Sequence, residues 1–275
     1  MSCRVIRETC VAGACIDVTI KLNTMAHGAR KPKSNPTSDA VRENNDRLAE
    51  KNLTRLLNAN FYPGDLHVTL TYEEAPTKEE AEKEKQNFLR RMSREFKKIE
   101  KEFRWVAVTE HENHRIHHHI VMSYIDMRII HKQWKRGHIR SSVLDATRNY
   151  SVLANYLIKE TQKTFRQASN ATKRRYSCSR NLVKPIVVRE VMSSVQLYEK
   201  PRDIKGYHID ENSIRYYTHP FTQLEHLEYM MVSTDPVPRV KKWRKGKVVR
   251  RTETLDRFEE LKQLDIFEEF EMRTI

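Results

Sequence analysis

Three side chains of types that hold divalent cations lie close together in the stretch Thr109–Ser123 (TEHENHRIHHHIVMS): Glu110, His117 and His119. In a strand alternate side chains share a face, so His117 and His119 project together. Glu110 joins them if it pairs with His117 across a hairpin turn, at about 5 Å. Two imidazoles and one carboxylate leave coordination positions open, the pattern of a catalytic metal site rather than a closed structural one. His118 points to the opposite face with Ile116, Ile120 and Met122 and reads as structural. His111 and His114 read as turn residues.

A second reactive group lies in Asn149–Glu160 (NYSVLANYLIKE). On a helix of 100° per residue, Tyr150, Leu153, Ala154, Leu157, Ile158 and Thr161 gather on one side, which is expected to be buried. Tyr156, Lys159, Lys163 and Val152 fall on the other. Tyr156 is therefore a presented phenol with a lysine one turn away, whereas Tyr150 belongs to the packing stripe. A phenol ionises near pH ~10 and is a poor nucleophile at neutral pH unless a cation stabilises the phenolate. Lys159 is spaced to do so. With a Lewis acid polarising a phosphate oxygen, attack by Tyr156 on a phosphodiester leaves the strand covalently attached and able to be rejoined.

These groups need rigid elements beneath them. Leu66–Tyr72 (LHVTLTY) alternates strictly, placing Leu66, Val68, Leu70 and Tyr72 on a core face and His67, Thr69 and Thr71 on a working face. Thr77 and Glu80 form a capping box, after which Ala81, Phe88, Met92, Phe96 and Ile99 make an apolar stripe through a helix to about Glu102. Trp105–Glu110 and Ile116–Tyr124 are expected as strands around a polar turn at 111–114, and Ser141–Leu144 as an edge strand. Upstream, residues 1–22 read as two strands turning at Gly13, and a helix is expected from Ser38 to Phe61. Downstream, Ile186–Val195, Gly206–Ile209 and Ser213–Ser233 read as further strands. The expected fold class is α+β: a central antiparallel β-sheet with packed helices and a C-terminal strand-rich extension. The expected divisions are 1–61 (N-terminal strands and helix packing on the core), 62–165 (catalytic core), 166–235 (basic, strand-rich accessory region) and 236–275 (tail).

The 275-residue chain carries a formal charge of +14, and a soluble protein this cationic usually meets a polyanion, nucleic acid first. Lys163–Lys184 holds seven Lys or Arg and no carboxylate. Lys163, Arg166, Lys173, Arg174, Arg175 and Arg180 are the expected DNA contacts. The tail is basic over Arg239–Arg251 and mostly acidic over Thr252–Ile275, where a helix is expected to compete with phosphate for a basic surface. Four cysteines without a CxxC pair fit a reducing compartment. No leader-like or membrane-spanning apolar run is present, so a cytoplasmic protein with no membrane partner is expected.

In their order along the chain, LHVTLTY (66–72), RIHHHI (115–120) and YLIKE (156–160) resemble the three motifs of the HUH endonucleases. They are most similar to the one-tyrosine rolling-circle replication initiators (Rep) of bacterial plasmids and phages. Roughly residues 38–185 are covered. The resemblance implies an RRM-like palm, His117, His119 and Glu110 as ligands of Mg2+ or Mn2+, Tyr156 as nucleophile and Lys159 as its companion. It also implies a sequence-specific endonuclease and strand transferase that nicks single-stranded origin DNA, a hairpin included, in a bacterial cytoplasm. No GxxxxGK[ST] phosphate loop is present, so unwinding and synthesis are expected from a host helicase and DNA polymerase. Two further readings stand beside this one: a one-tyrosine HUH transposase or relaxase with the same chemistry, and a non-catalytic nucleic-acid-binding protein, whose glycine-aromatic signature is absent. An iron oxygenase with two histidines and a carboxylate explains neither the charge nor Tyr156 with Lys159.

Overall fold

The computed structural model describes residues 3–24, 39–112, 115–166, 175–193, 199–219 and 223–235. The expected tail helix, the basic run before it, Lys173 and Arg174 lie outside the described residues. The chain divides into two compact units, residues 46–182 and residues 1–45 with 183–275.

In the 46–182 unit a five-stranded antiparallel sheet runs in the order β6-β3-β5-β4-β7. Its strands are β3 (Leu66–Leu70), β4 (Trp105–Glu112), β5 (Arg115–Met122), β6 (Ile139–Val143) and β7 (Ser177–Cys178). Strand alternation gives the sheet two different faces. Leu66, Val68, Leu70, Ala107, Ile120 and Met122 pack against Phe88, Leu89, Met92 and Phe96 of α2 (Lys78–Lys98) and against Ile130 and Trp134 of α3 (Met127–Gln133) and its cap. On the other face Val106, Val108 and Val121 pack against Leu53, Leu57 and Phe61 of α1 (Asp39–Asn60) and its end. Tyr150, Ala154, Leu157 and Ile158 from the start of α4 (Ser151–Arg166) complete that layer. The α+β class expected from the pattern is the class observed.

Caps and turns set where the elements stop. The Thr77–Glu80 capping box opens α2 as expected, with Glu80 N–H donating to Thr77 Oγ1 at 3.2 Å and Thr77 N–H donating to Glu80 Oε2 at 2.9 Å. The helix ends at Lys98 rather than near Glu102, because Ile99 caps it and Glu100 takes a positive φ of 53°. The turn expected at 111–114 is shorter: His111 and Glu112 continue the ladder against Ile116 and Arg115, since ladder hydrogen bonds use backbone and tolerate polar side chains. α3 has no counterpart in the sequence reading. At seven residues it is too short to show a stripe, and the Asp126 carboxylate starts it by accepting the Arg128 N–H at 2.8 Å. Between α3 and β6, Gly137 runs so close to the 71–73 backbone that a Cβ there would lie 2.5 Å from the Thr71 carbonyl oxygen.

The other unit is a second five-stranded antiparallel sheet, in the order β8-β1-β2-β10-β9. β1 (Cys3–Ala12) and β2 (Cys15–Thr24) form the expected hairpin, turning at Gly13 with φ 61°. β8 (Val187–Met192) pairs with β1 and β10 (Glu225–Ser233) pairs with β2, so strands from both ends of the chain share one sheet. β9 (Tyr207–Thr218) closes the far edge. Val5, Ile16, Val18, Ile20, Leu227, Tyr229 and Met231 form its apolar cluster. Among the described residues no helix is long and apolar enough to cross a membrane.

Candidate active site

Register places the candidate ligands. Glu110 pairs with His117 across the β4–β5 hairpin, and His119 lies opposite Thr69 of β3. All four side chains therefore project from the α4 side of the sheet. Glu110 Oε2 lies 3.3 Å from His119 Nε2 and 3.6 Å from His117 Nδ1. The other nitrogen of His119, Nδ1, is 3.2 Å from the Thr69 hydroxyl. A hydroxyl there fixes the ring and the tautomer, the task that an outer hydrogen bond performs for metal-binding histidines.

Burial pushes the His119 pKa down to about 4, with nearby Glu160 opposing the fall and His117 adding to it. His119 is neutral at neutral pH, the form that binds metals.

Two donors bonded at about 2.1 Å to one ion in octahedral or tetrahedral geometry lie about 3.0–3.4 Å apart. The separations through Glu110 sit at and just beyond that range. Among the described residues no three His, Cys, Asp or Glu side chains yet close around a single point. The His117 side chain is 33 % exposed and has room to rotate, whereas Glu110 and His119 are held by burial. The donor set, two neutral-capable imidazoles and a carboxylate, fits Mg2+ or Mn2+ with open positions.

α4 brings the phenol. Tyr150 is 4 % exposed in the layer beneath the helix, while Tyr156 is 42 % exposed, with its ring edge-on to His119 at 5.4 Å between centroids. Burial, then Glu160, then Glu110 raise the Tyr156 pKa above that of an ordinary phenol, so the hydroxyl is held in its protonated form. Lys159, one turn on, is exposed.

Two neighbours have no role in the sequence reading. Glu160 acts electrostatically on both His119 and Tyr156; its spacing of four from Tyr156 is the signal that could have found it. His67 stacks on His119 at 5.6 Å and stands 6.4 Å from the Tyr156 ring. The alternation of LHVTLTY puts it on the working face and says nothing of its neighbours.

Behind the sheet a buried polar chain backs the site. His118, fully buried, has Nε2 2.8 Å from the Tyr72 hydroxyl and Nδ1 3.0 Å from Thr109 Oγ1. Lys85 of α2 donates to the same Thr109 hydroxyl at 3.2 Å and pairs with Glu82 at 2.6 Å. Thr109 and His118 are chain neighbours of Glu110, His117 and His119, so this network pins the hairpin that carries them.

The expected DNA contacts divide. Arg180 is exposed after β7. Arg175 instead ion-pairs with Asp46, and both side chains are nearly buried. Lys163 and Arg166 lie on the last turns of α4, with side chains outside the described residues.

No curated protein and no solved structure matches the chain. Residues 65–165, which hold Thr69, Glu110, His117, His119, Tyr156, Lys159 and Glu160, match a family model of replication-associated proteins, the ORF2 type. Over that stretch the chain is similar to replication-associated proteins, and the match supports a replication initiator.

Proposed function

We propose that the chain starts rolling-circle replication as a metal-dependent, sequence-specific endonuclease and strand transferase that nicks single-stranded origin DNA through Tyr156. One observation carries the reading: a presented phenol stands edge-on, 5.4 Å between centroids, to a histidine whose Nε2 faces a carboxylate shared with a second histidine. In the reaction the Tyr156 oxygen bonds to phosphorus and the bond from phosphorus to the 3′ oxygen of the preceding nucleotide breaks. The phenolic proton leaves to solvent, and the departing oxygen gains a proton to become a free 3′ hydroxyl. One phosphodiester replaces another, so a 3′ hydroxyl attacking the 5′-phosphotyrosine rejoins the strand.

Glu110, His117 and His119 would hold Mg2+ or Mn2+, which supplies Lewis-acid polarisation of a phosphate oxygen. Glu160 and Glu110 hold the phenol neutral until the nucleophile is needed. Exposed Lys159 is placed to meet charge building on the phosphate. The 3′ hydroxyl is a primer for a host polymerase, and unwinding falls to a host helicase.

The test is incubation of the full chain with supercoiled DNA and with a mixed-sequence single-stranded oligonucleotide pool, with and without Mn2+, followed by mass spectrometry of protein-linked DNA. Wild type and Tyr150→Phe are expected to carry the adduct on Tyr156, and Tyr156→Phe to carry none. An adduct on Tyr150, or metal-dependent cutting with no adduct, overturns the proposal.

A further inference from the structure

Beyond the reacting groups, the α4 side of the sheet continues to its β6 edge. Pairing sets Arg140 opposite Thr69 and Ser142 opposite His67, so these four share a face with His119. Arg140 is exposed on the edge strand and makes no ion pair among the described residues. Arg104, Arg128, Arg136 and Arg175 of the same unit each have a carboxylate partner. His67 shows the converse: its Nε2 is buried and has no hydrogen-bond partner. A buried polar atom without a partner costs about 1–3 kcal/mol, which points to a group that arrives from outside. Ser142 adds little bulk between them, so the face stays open at this edge.

Arg140 stands two strand spacings from His119, about 10 Å at backbone level. A guanidinium at that distance can take a second phosphate of a strand whose reacting phosphate lies at Tyr156. His67 lies between, where its ring is open to base stacking and its nitrogen to a hydrogen bond.

We propose that His67 and Arg140 form a subsite for the nucleotide next to the scissile phosphate, Arg140 holding its phosphate and the unpartnered Nε2 of His67 bonding the same nucleotide. The inference rests on the single-strand cutting proposed above and assigns positioning residues to it. It takes His67 as a DNA contact and not as a metal ligand, because β3 carries it two residues along the strand from Thr69, away from the Glu110–His117 pair.

The experiment uses the full chain and a fluorescent 30-nucleotide single-stranded DNA of mixed sequence. Anisotropy is read in chelator across a salt series, and Mn2+ is titrated separately by calorimetry. Arg140→Ala is expected to weaken binding about tenfold and to lower the slope of log affinity against log salt by about 0.7, one phosphate contact on a single strand. Arg140→Lys should keep the slope. His67→Ala should weaken DNA binding several-fold and leave Mn2+ affinity unchanged. Arg94→Ala, an exposed arginine on α2 behind the sheet, should leave both readings unchanged. Circular dichroism of each variant guards against unfolding.

Unchanged affinity and slope in Arg140→Ala overturn the subsite. Lost Mn2+ affinity in His67→Ala overturns its assignment to DNA. Failure of the cutting reading looks different: wild type then forms no Tyr156 adduct, whatever Arg140 does to binding.

Discussion

His118→Ala tests the division of labour among the three consecutive histidines. The removed ring is fully buried among Tyr72, Trp134 and Thr109, so the change empties a ring-sized space. Emptying such a space in a core costs about 3–5 kcal/mol. The hydrogen-bond term is smaller, because the Tyr72 hydroxyl still donates to the Ala81 carbonyl at 3.2 Å and Thr109 still accepts from Lys85. A net loss of about 4 kcal/mol is therefore expected. Metal affinity is expected to persist, since Glu110, His117 and His119 face the other way. The assay is urea unfolding followed by tryptophan fluorescence, Trp134 lying 6.3 Å from the His118 ring, beside calorimetric titration with Mn2+ under folded conditions. A variant with an unchanged unfolding midpoint and no Mn2+ binding would refute the reasoning, because it would make His118 the ligand and turn the hairpin over.

Thr69→Val removes the hydroxyl at His119 Nδ1 while keeping shape; Mn2+ affinity is expected to fall about 10–100-fold by calorimetry, with little change in the unfolding midpoint. Gly137→Ala sets a Cβ against the Thr71 and Glu73 backbone; about 1–3 kcal/mol of stability should be lost in urea, and an unchanged midpoint would contradict the close approach. His67 and His119, both lowered to about 4 by burial, resist protonation in the fold but accept it when unfolded. With chelator present, their contribution is whole above pH ~6.5 and is lost as pH falls toward ~4. His67→Gln is expected to flatten that part of the profile.

Much of the site could be read locally. The alternation of LHVTLTY, the pairing of Glu110 with His117 and the two faces of the Tyr156 helix are set by residues within one or two elements, where a period of 2 or 3.6 is informative. What escaped depends on neighbours distant in sequence. The closeness of His67 to Tyr156 follows from the β3–β5 register and the seating of α4. β7 consists of Ser177 and Cys178 alone, and two residues carry no period. The joining of β1 and β2 to β8 and β10 is invisible to any window of sequence, because each strand looks like an ordinary half-buried one.

The shared sheet also orders events during synthesis. Val5 pairs with Met192, and Ile20 with Leu227, so the first hairpin leaves the ribosome long before its flanking strands exist. At about 5–20 residues per second that wait is on the order of ten seconds or more. Residues 46–182, whose contacts lie within one continuous stretch, can fold in the meantime. The early hairpin meanwhile carries Ile16, Val18 and Ile20 with two unpaired edges, which makes it the part of the nascent chain most open to a chaperone or to strand pairing with another copy. Slowing translation would lengthen that exposure, and supplying residues 183–235 as a separate chain would shorten it.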